Sequence, residues 1–314
     1  MQPDWVWIKR RNSAGGNMTT DVIRGVTKTL ITNETGAEQT FSNGLTAFGS
    51  DGFTVGSEDG FNKASDTFVA WNWKAGSSAS SNSDGSITSS VSANTTAGFS
   101  IVSYTGNGSA GATVGHGLGA VPSTIILKSR STNGAQWTVY HQSLGNTKGM
   151  QLDSTAAAGT STLYWNDTTP SSTVFTLGSG GDPNGSGGSL IAYCFAEKKG
   201  YSKFGSYTGN DNADGTFVYT GFAPAWVMIK RTNSVNDWLI LDRKRNPINP
   251  SDERLLANSS NSASTHIMVD FLSNGFKPRS TYGGINGASD NFIYMAFAES
   301  PFVTAGTKAA GTAR

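Results

Sequence analysis

The chain reads as an all-β protein built from tandem antiparallel β-sandwich units, jelly-roll or lectin-like. Three observations predict this. Glycine is 39 of 314 residues and the charged fraction only 14%; Gly, Ser, Thr and Asn favour turns and strands over helix interiors. Short β-branched and aromatic runs are separated by Gly/Asn/Ser clusters, and no segment carries a 3.6-residue period over a helix length. The same strings recur three times along the chain, the signature of a repeated fold.

The first marker is a Pro followed by an apolar strand ending in a basic residue, at Pro3–Lys9, Pro122–Lys128 and Pro224–Lys230. The second is Phe-Thr-Val-Gly at Phe53–Gly56, Phe-Thr-Leu-Gly at Phe175–Gly178 and the looser Phe276–Arg279. The third closes each segment, at Phe68–Trp73, Leu190–Glu197 and Ile293–Glu299. Ser-Tyr-Thr-Gly-Asn occurs twice, at Ser103–Asn107 and Ser206–Asn210. These markers divide the chain into an incomplete first unit (1–76), a Ser/Gly-rich linker (77–98), a second unit (99–200), a third unit (201–302) and a C-terminal tail (303–314). In the second unit the strands expected are Phe99–Tyr104, Thr113–Gly117, Ser123–Lys128, Trp137–His141, Met150–Asp153, Leu163–Trp165, Val174–Leu177 and Leu190–Phe195. The linker composition predicts a mobile first hinge; Lys198-Lys199-Gly200 predicts a stiff second one. In the second and third units strand sequence precedes the marker proline, whereas Pro3 lies at the start of the chain. A sandwich missing two strands leaves an edge open. A neighbouring subunit or a longer parent polypeptide is therefore expected to supply them.

Lys+Arg 23 against Asp+Glu 22 gives a net charge of +1, which argues against a nucleic-acid binder or a polybasic membrane-surface protein. No apolar run is long enough for a transmembrane helix, and no signal peptide is legible. The lone Cys194 cannot form an intrachain disulfide. It aligns with Asn72 and Ala296, a small packing position.

The strings PSTIILKSRS (122–131), VYHQSLG (139–145), YWNDTTPSSTVFTLG (164–178), LIAYCFAEKKGYSKFGSYTGN (190–210) and PAWVMIKRTNS (224–234) resemble a repeated module of marine tailed-phage tail-fibre-like and structural virion proteins. PDWVWIKRR (3–11) and FVAWNWKAG (68–76) extend the resemblance to the first unit. The resemblance implies a lectin-like sandwich on a phage particle and carries no catalytic residues.

The residues themselves yield few sites. His116, His141 and His266 lack metal-ligand spacing. His141, Ser143 and Asp153 lack a nucleophile-elbow context. Asp153 and Asp167 are the best carboxylate pair for a glycosidase. Trp165, with Asn166 and Asp167, has the composition of a sugar-stacking site, so it is the candidate ligand-binding group. Asp211 and Asp214, in Asp-Asn-Ala-Asp-Gly, and the Gly181–Gly185 turn cluster oxygens as calcium prefers; no other cofactor is expected. The run 242–254 is the densest in charge, and Arg243, Lys244 and Arg245 mark it as an exposed interaction loop. Lys9-Arg10-Arg11, Lys128 with Arg130, and Lys230-Arg231 read as solvated strand flanks. Trp137, matched by Trp238, reads as core.

The reading is a non-enzymatic virion structural protein on the particle surface, a tail fibre or appendage binding host glycan. The alternative is a capsid decoration or tail-assembly protein without receptor binding. Expected partners are other virion proteins and further copies of the chain, a trimer favoured, with no nucleic acid and no membrane insertion.

Overall fold

The computed structural model describes residues 1–299; the 303–314 tail lies outside the described residues. The chain is all-β, 42% strand and 5% helix. The first segment holds β1 (Trp5–Arg10), β2 (Asn17–Asp21), β3 (Lys28–Ile31), β4 (Gln39–Thr40), β5 (Leu45–Phe48), β6 (Phe53–Val55), a one-turn α1 (Asp59–Asn62) and β7 (Phe68–Trp73). The second holds β8 (Ser80–Asn82), β9 (Ser89–Asn94), β10 (Phe99–Thr105), β11 (Ala112–Gly115), β12 (Thr124–Ser129), β13 (Thr138–His141), β14 (Lys148–Gln151), β15 (Gly159–Thr160), α2 (Thr162–Trp165), β16 (Val174–Leu177), α3 (Gly181–Asn184) and β17 (Ser189–Phe195). The third holds β18 (Ser202–Thr208), β19 (Val218–Tyr219), β20 (Pro224–Arg231), β21 (Leu239–Asp242), β22 (Ser251–Leu256), β23 (Ser264–Leu272), β24 (Gly275–Pro278), α4 (Gly283–Asn286) and β25 (Asn291–Ala298).

Two compact units form. One comprises Met1–Ala196 with Ala257–Ser262; the other comprises Glu197–Leu256 and the chain from Ala263. The first unit contains a five-stranded sheet, β4-β3-β2-β1-β7, and an eight-stranded sheet, β15-β14-β13-β12-β17-β10-β9-β8. The second contains an eight-stranded sheet, β18-β25-β20-β21-β22-β23-β24-β19. Every ladder within these sheets is antiparallel. Strands that correspond in sequence hold corresponding neighbours: β1, β12 and β20 each lie beside β7, β17 and β25 respectively.

β1 and β12 are buried at all six positions. Val6 and Ile8 join one core, and Ile125 and Leu127 another. The alternate residues Trp5, Trp7 and Lys9, and Ile126 and Lys128, fill the opposite faces. Burial on both faces explains why these strands read as continuous apolar runs without alternation. Trp5 stacks on Tyr193 at 4.2 Å, and Tyr193 stacks with Trp137 at 6.5 Å.

The 77–98 segment is not a spacer. Ser89–Asn94 pairs with β10, and Ser80–Asn82 pairs with β9. The composition read as flexible, but Ile87 and Val91 alternate with hydroxyl residues and both enter the core. Seven of the eight strands expected in the second segment form, Val174–Leu177 with the expected bounds and the other six with shifted ends. Leu163–Trp165 is instead the helical turn α2, because Ser161 caps its start, accepting from Leu163 N, and Asn166 ends it in the left-handed conformation. The charge run 242–254 is only partly a loop: Ser251–Leu256 is strand β22, paired with β21 and β23.

Each one-turn helix α1, α3 and α4 ends in Asn. Asn184 is wholly buried; its Nδ2 donates to Gly178 O (3.0 Å) and Ser109 O (2.9 Å), and its Oδ1 accepts from Asn107 N (2.9 Å). Asn286 repeats this, with Nδ2 to Ser280 O and Asn212 O and Oδ1 from Asn210 N. Asn62 is exposed, and its Nδ2 donates to Gly56 O (3.0 Å). The residue type is constant; the second half of its hydrogen-bond set depends on a Tyr-Thr-Gly-Asn hairpin beside it. Asn184→Ala is expected to destabilise the first unit by about 2–4 kcal/mol, because several buried groups lose partners. Asn62→Ala is expected to cost less than about 0.5 kcal/mol. Denaturant unfolding of the two variants checks the contrast.

Candidate interaction sites

The candidate sugar-stacking group is not on the surface. Trp165 ends α2 pointing inward, is 1% exposed, and meets Tyr140 edge-on at 5.6 Å. One helical turn faces Leu163 outward, 51% exposed, and Trp165 inward. Asn166 is half-buried and left-handed, Asp167 is exposed, and Asp167 O accepts from Asn146 Nδ2. Trp165 is therefore a core residue. A pocket of about 250 Å³ does lie beside it, lined by Ser161, Leu163, Tyr164, Gly180, Asp182 and Pro183. Tyr164 OH accepts from Gln151 Nε2 (2.8 Å), and Asp182 accepts from Gln136 N (3.0 Å). A second, shallower groove of about 380 Å³ is lined largely by hydroxyls, among them Ser80, Ser89, Ser90, Ser103 and Thr105.

The two candidate calcium carboxylates lie on the exposed 211–214 turn. Asp214 is exposed and paired with Lys277 Nζ (2.7 Å) and Arg279 Nη1 (2.8 Å). Hydrogen bonding and charge from these two cations lower its pKa. Asp211 is left-handed and exposed, with its N donating to Asn286 O. Among the described residues no group of three His, Cys, Asp or Glu is arranged to hold a metal. In the Gly181–Gly185 turn, Asn184 directs its side chain into the hydrogen bonds given above.

Of the three basic residues at 243–245, Arg245 is withdrawn from the surface. Its Nε meets Asp242 Oδ2 at 2.6 Å and its Nη2 donates to Ile240 O. Arg24 and Asp21 form the same pair, buried, with the guanidinium also donating to Tyr193 OH (3.1 Å). Asp-x-x-Arg is thus a turn lock at the ends of β2 and β21. Arg243 pairs with Glu299 at 3.0 Å, and Lys244 is exposed. At the matching position His141 Nδ1 accepts from Ser143 N (3.2 Å), closing the turn there; Asp153 Oδ1 accepts from Trp137 N. Cys194 lies wholly buried in the core, and burial pushes its thiol pKa up.

The feature that sequence reasoning misplaced is the lysine ending each marker strand. Lys9, Lys128 and Lys230 are buried, not solvated. Burial lowers each to about 8. Lys128 Nζ donates to Ala135 O (2.5 Å) and Thr35 O (3.1 Å), so it clasps the loop after β3. Glu38 in that loop forms a two-pronged pair with Arg130 at 2.9 and 3.0 Å. Gly134 N donates to Thr35 O and Glu38 N to Arg130 O. Lys9 Nζ donates to Gly15 O (2.6 Å) and Ser259 O (3.1 Å). Asn17 Nδ2 reaches the same Ser259 O, and Thr32 Oγ1 reaches Ala257 O. The 257–262 segment is thereby bound into the first unit. Lys230 Nζ donates to Arg231 O at 2.8 Å. The recurring Pro-to-Lys spacing was the available signal: a lysine kept at the same phase as the buried aromatic face belongs to that face.

These observations define a β-sheet scaffold whose buried ions tie loops to strands. The chain belongs to the DUF7483 family, a domain of unknown function that matches residues 1–301. No curated protein and no solved structure matches it.

Two predictions follow the geometry. Trp165→Phe is expected to change stability by less than about 1.5 kcal/mol, since the buried Trp165 Nε1 has no hydrogen-bond partner to lose. Trp165→Ala is expected to cost about 3–5 kcal/mol, and chemical denaturation separates the two. The second concerns pH. A lysine lowered to about 8 binds fewer protons folded than unfolded above that value. Stability therefore rises from about pH 8 towards 10. Tyr104, Tyr193 and Tyr207 are raised well above 10 by burial, so their unfolded forms ionise first and stability falls above pH 10. Lys128→Met is expected to flatten the rise and to speed amide exchange at Ala37 and Glu38 about tenfold. Urea titrations across pH and hydrogen exchange by mass spectrometry measure both.

Proposed function

We propose that the chain is a structural protein of a tailed-phage particle, made of three copies of one jelly-roll or lectin-like sandwich with the first left open. The observation that carries the reading is the lysine clasp. Lys9 and Lys128 bind main-chain carbonyls, and Arg24 with Asp21 and Tyr193 closes a buried triad; both arrangements serve cohesion. The resemblance of the repeated strings to virion modules supports a place on the particle surface, among other virion proteins and further copies of this chain. Assembly ranks ahead of receptor binding because Trp165 is a core residue. Capsid decoration and tail assembly both fit that role.

A second reading, host-glycan binding by a tail fibre or appendage, is favoured by one observation. The pocket beside α2 places Tyr164, exposed Leu163 and the Asp182 carboxyl together, an apolar and polar mix suited to a sugar ring.

Side-chain-resolution electron cryomicroscopy of intact particles tests the main reading. The expected result is density for the chain in an ordered lattice or ring, with protein against the first segment. Absence of the chain from purified particles, checked by mass spectrometry, overturns it. A glycan array with the intact chain and with Tyr164→Ala and Asp182→Ala tests the second.

A further inference from the structure

The edge of β7 is unlike its two counterparts. β17 lies between β12 and β10, and β25 between β20 and β18. Among the described residues β7 has β1 as its one sheet neighbour. Arg11 N donates to Thr67 O, so in the β1–β7 register the odd residues of β7 face β1. Phe68, Ala70 and Asn72 turn their main-chain groups outward. The corresponding residues in β17, Leu190, Ala192 and Cys194, pair with Tyr104, Val102 and Ser100.

The side chains around this edge are also less covered. Tyr104 packs edge-on to Phe175 and donates its hydroxyl to Pro183 O (2.7 Å). Tyr207 packs edge-on to Phe276, stacks on Phe292 at 4.9 Å, and donates to Ile285 O (2.7 Å). Phe175 and Phe276 are 0% exposed. Their counterpart Phe53 is half-buried, as is Phe68; both lie against the Val6–Ile8 core, and the Phe68 ring also carries the Arg10 guanidinium at 5.7 Å. Exposed Asn62 completes the pattern: its oxygen matches those that receive Asn107 N and Asn210 N. Asn72 Nδ2 meanwhile rests 3.3 Å from the outward Ala70 carbonyl.

We infer that the β7 edge, with half-buried Phe53 and Phe68 and with Asn62, accepts an antiparallel strand of the Ser-Tyr-Thr-Gly-Asn type from a second polypeptide. The inference rests on the assembly reading and names its joint. The pairing is already established twice in this chain, as β10 on β17 and β18 on β25. The donor tyrosine covers Phe53 and Phe68, as Tyr104 covers Phe175, and donates to the Phe61 carbonyl, as Tyr104 does to Pro183 O. The donor glycine is obligatory, because a Cβ at Gly106 or Gly209 would strike the carbonyl of Gly185 or Gly287; Lys63 holds the matching position. The donor Asn main-chain N–H donates to Asn62 Oδ1. Main-chain pairing supplies affinity and the tyrosine pocket supplies specificity.

The test is fluorescence anisotropy of a labelled peptide, GFSIVSYTGN, against the full chain, with hydrogen exchange read at β7. Saturable binding with protection at Phe68 and Ala70 is the expected result. Tyr→Ala or Gly→Ala in the peptide is expected to weaken binding about tenfold or more. These variants leave the protein untouched, so misfolding cannot mimic the loss. On the protein side, Phe68→Glu is expected to abolish binding, with circular dichroism confirming the fold. No binding, binding indifferent to the tyrosine, or protection elsewhere than β7 overturns the inference. So does self-association through β7, which would make a second copy the occupant. Because the measurement uses purified components, its failure leaves the particle location untouched, and absence from particles leaves a positive result standing.

Discussion

A buried ammonium sets the terms for the first unit. Lys9 and Lys128 stand on strands with both faces covered, where an ion without partners is far too costly to keep. Each therefore gathers two carbonyls, one from the nearby chain, Ala135 for Lys128 and Gly15 for Lys9, and one from a loop distant in sequence, Thr35 for Lys128 and Ser259 for Lys9. Once those loops are held, the Glu38–Arg130 pair closes over one of them and Asn17 and Thr32 secure the other. The rings of Trp5, Tyr193 and Trp137 stack on one another in the same unit.

The same economy of means recurs in the turns. Asp21 with Arg24 and Asp242 with Arg245 lock strand ends by one geometry, while His141 closes the matching turn by accepting from Ser143 N. Asn184 and Asn286 each knit a helical turn to a Tyr-Thr-Gly-Asn hairpin. Asn62 keeps only the bond to its own segment. The chain thus carries two finished versions and one open version of a single joint, and the finished ones specify what the open one lacks.

The sites legible in the sequence fared unevenly, for physical reasons. Trp165 followed by Asn and Asp looks like a surface sugar platform. Whether a tryptophan at the end of a short segment points in or out depends on whether that segment is strand or helical turn, and the Ser161 cap decided for the turn. Arg245 looked like one of three loop cations, but a carboxylate three residues earlier captured it. Asp214 pairs with Lys277 and Arg279, more than sixty residues away in sequence, and local spacing carries no trace of them.

Composition and periodicity alone determined the all-β class, the positions of most strands and the recurrence of the markers, because period, turn chemistry and strand length are local properties. Only the tertiary structure decided which faces are dry. It turned three apparently solvated lysines into buried hinges of hydrogen bonding, drew a Ser/Gly-rich stretch into an eight-stranded sheet, and, among the described residues, left β7 with one neighbour. Burial and pairing depend on what arrives from elsewhere in the chain, and no window of sequence contains that information.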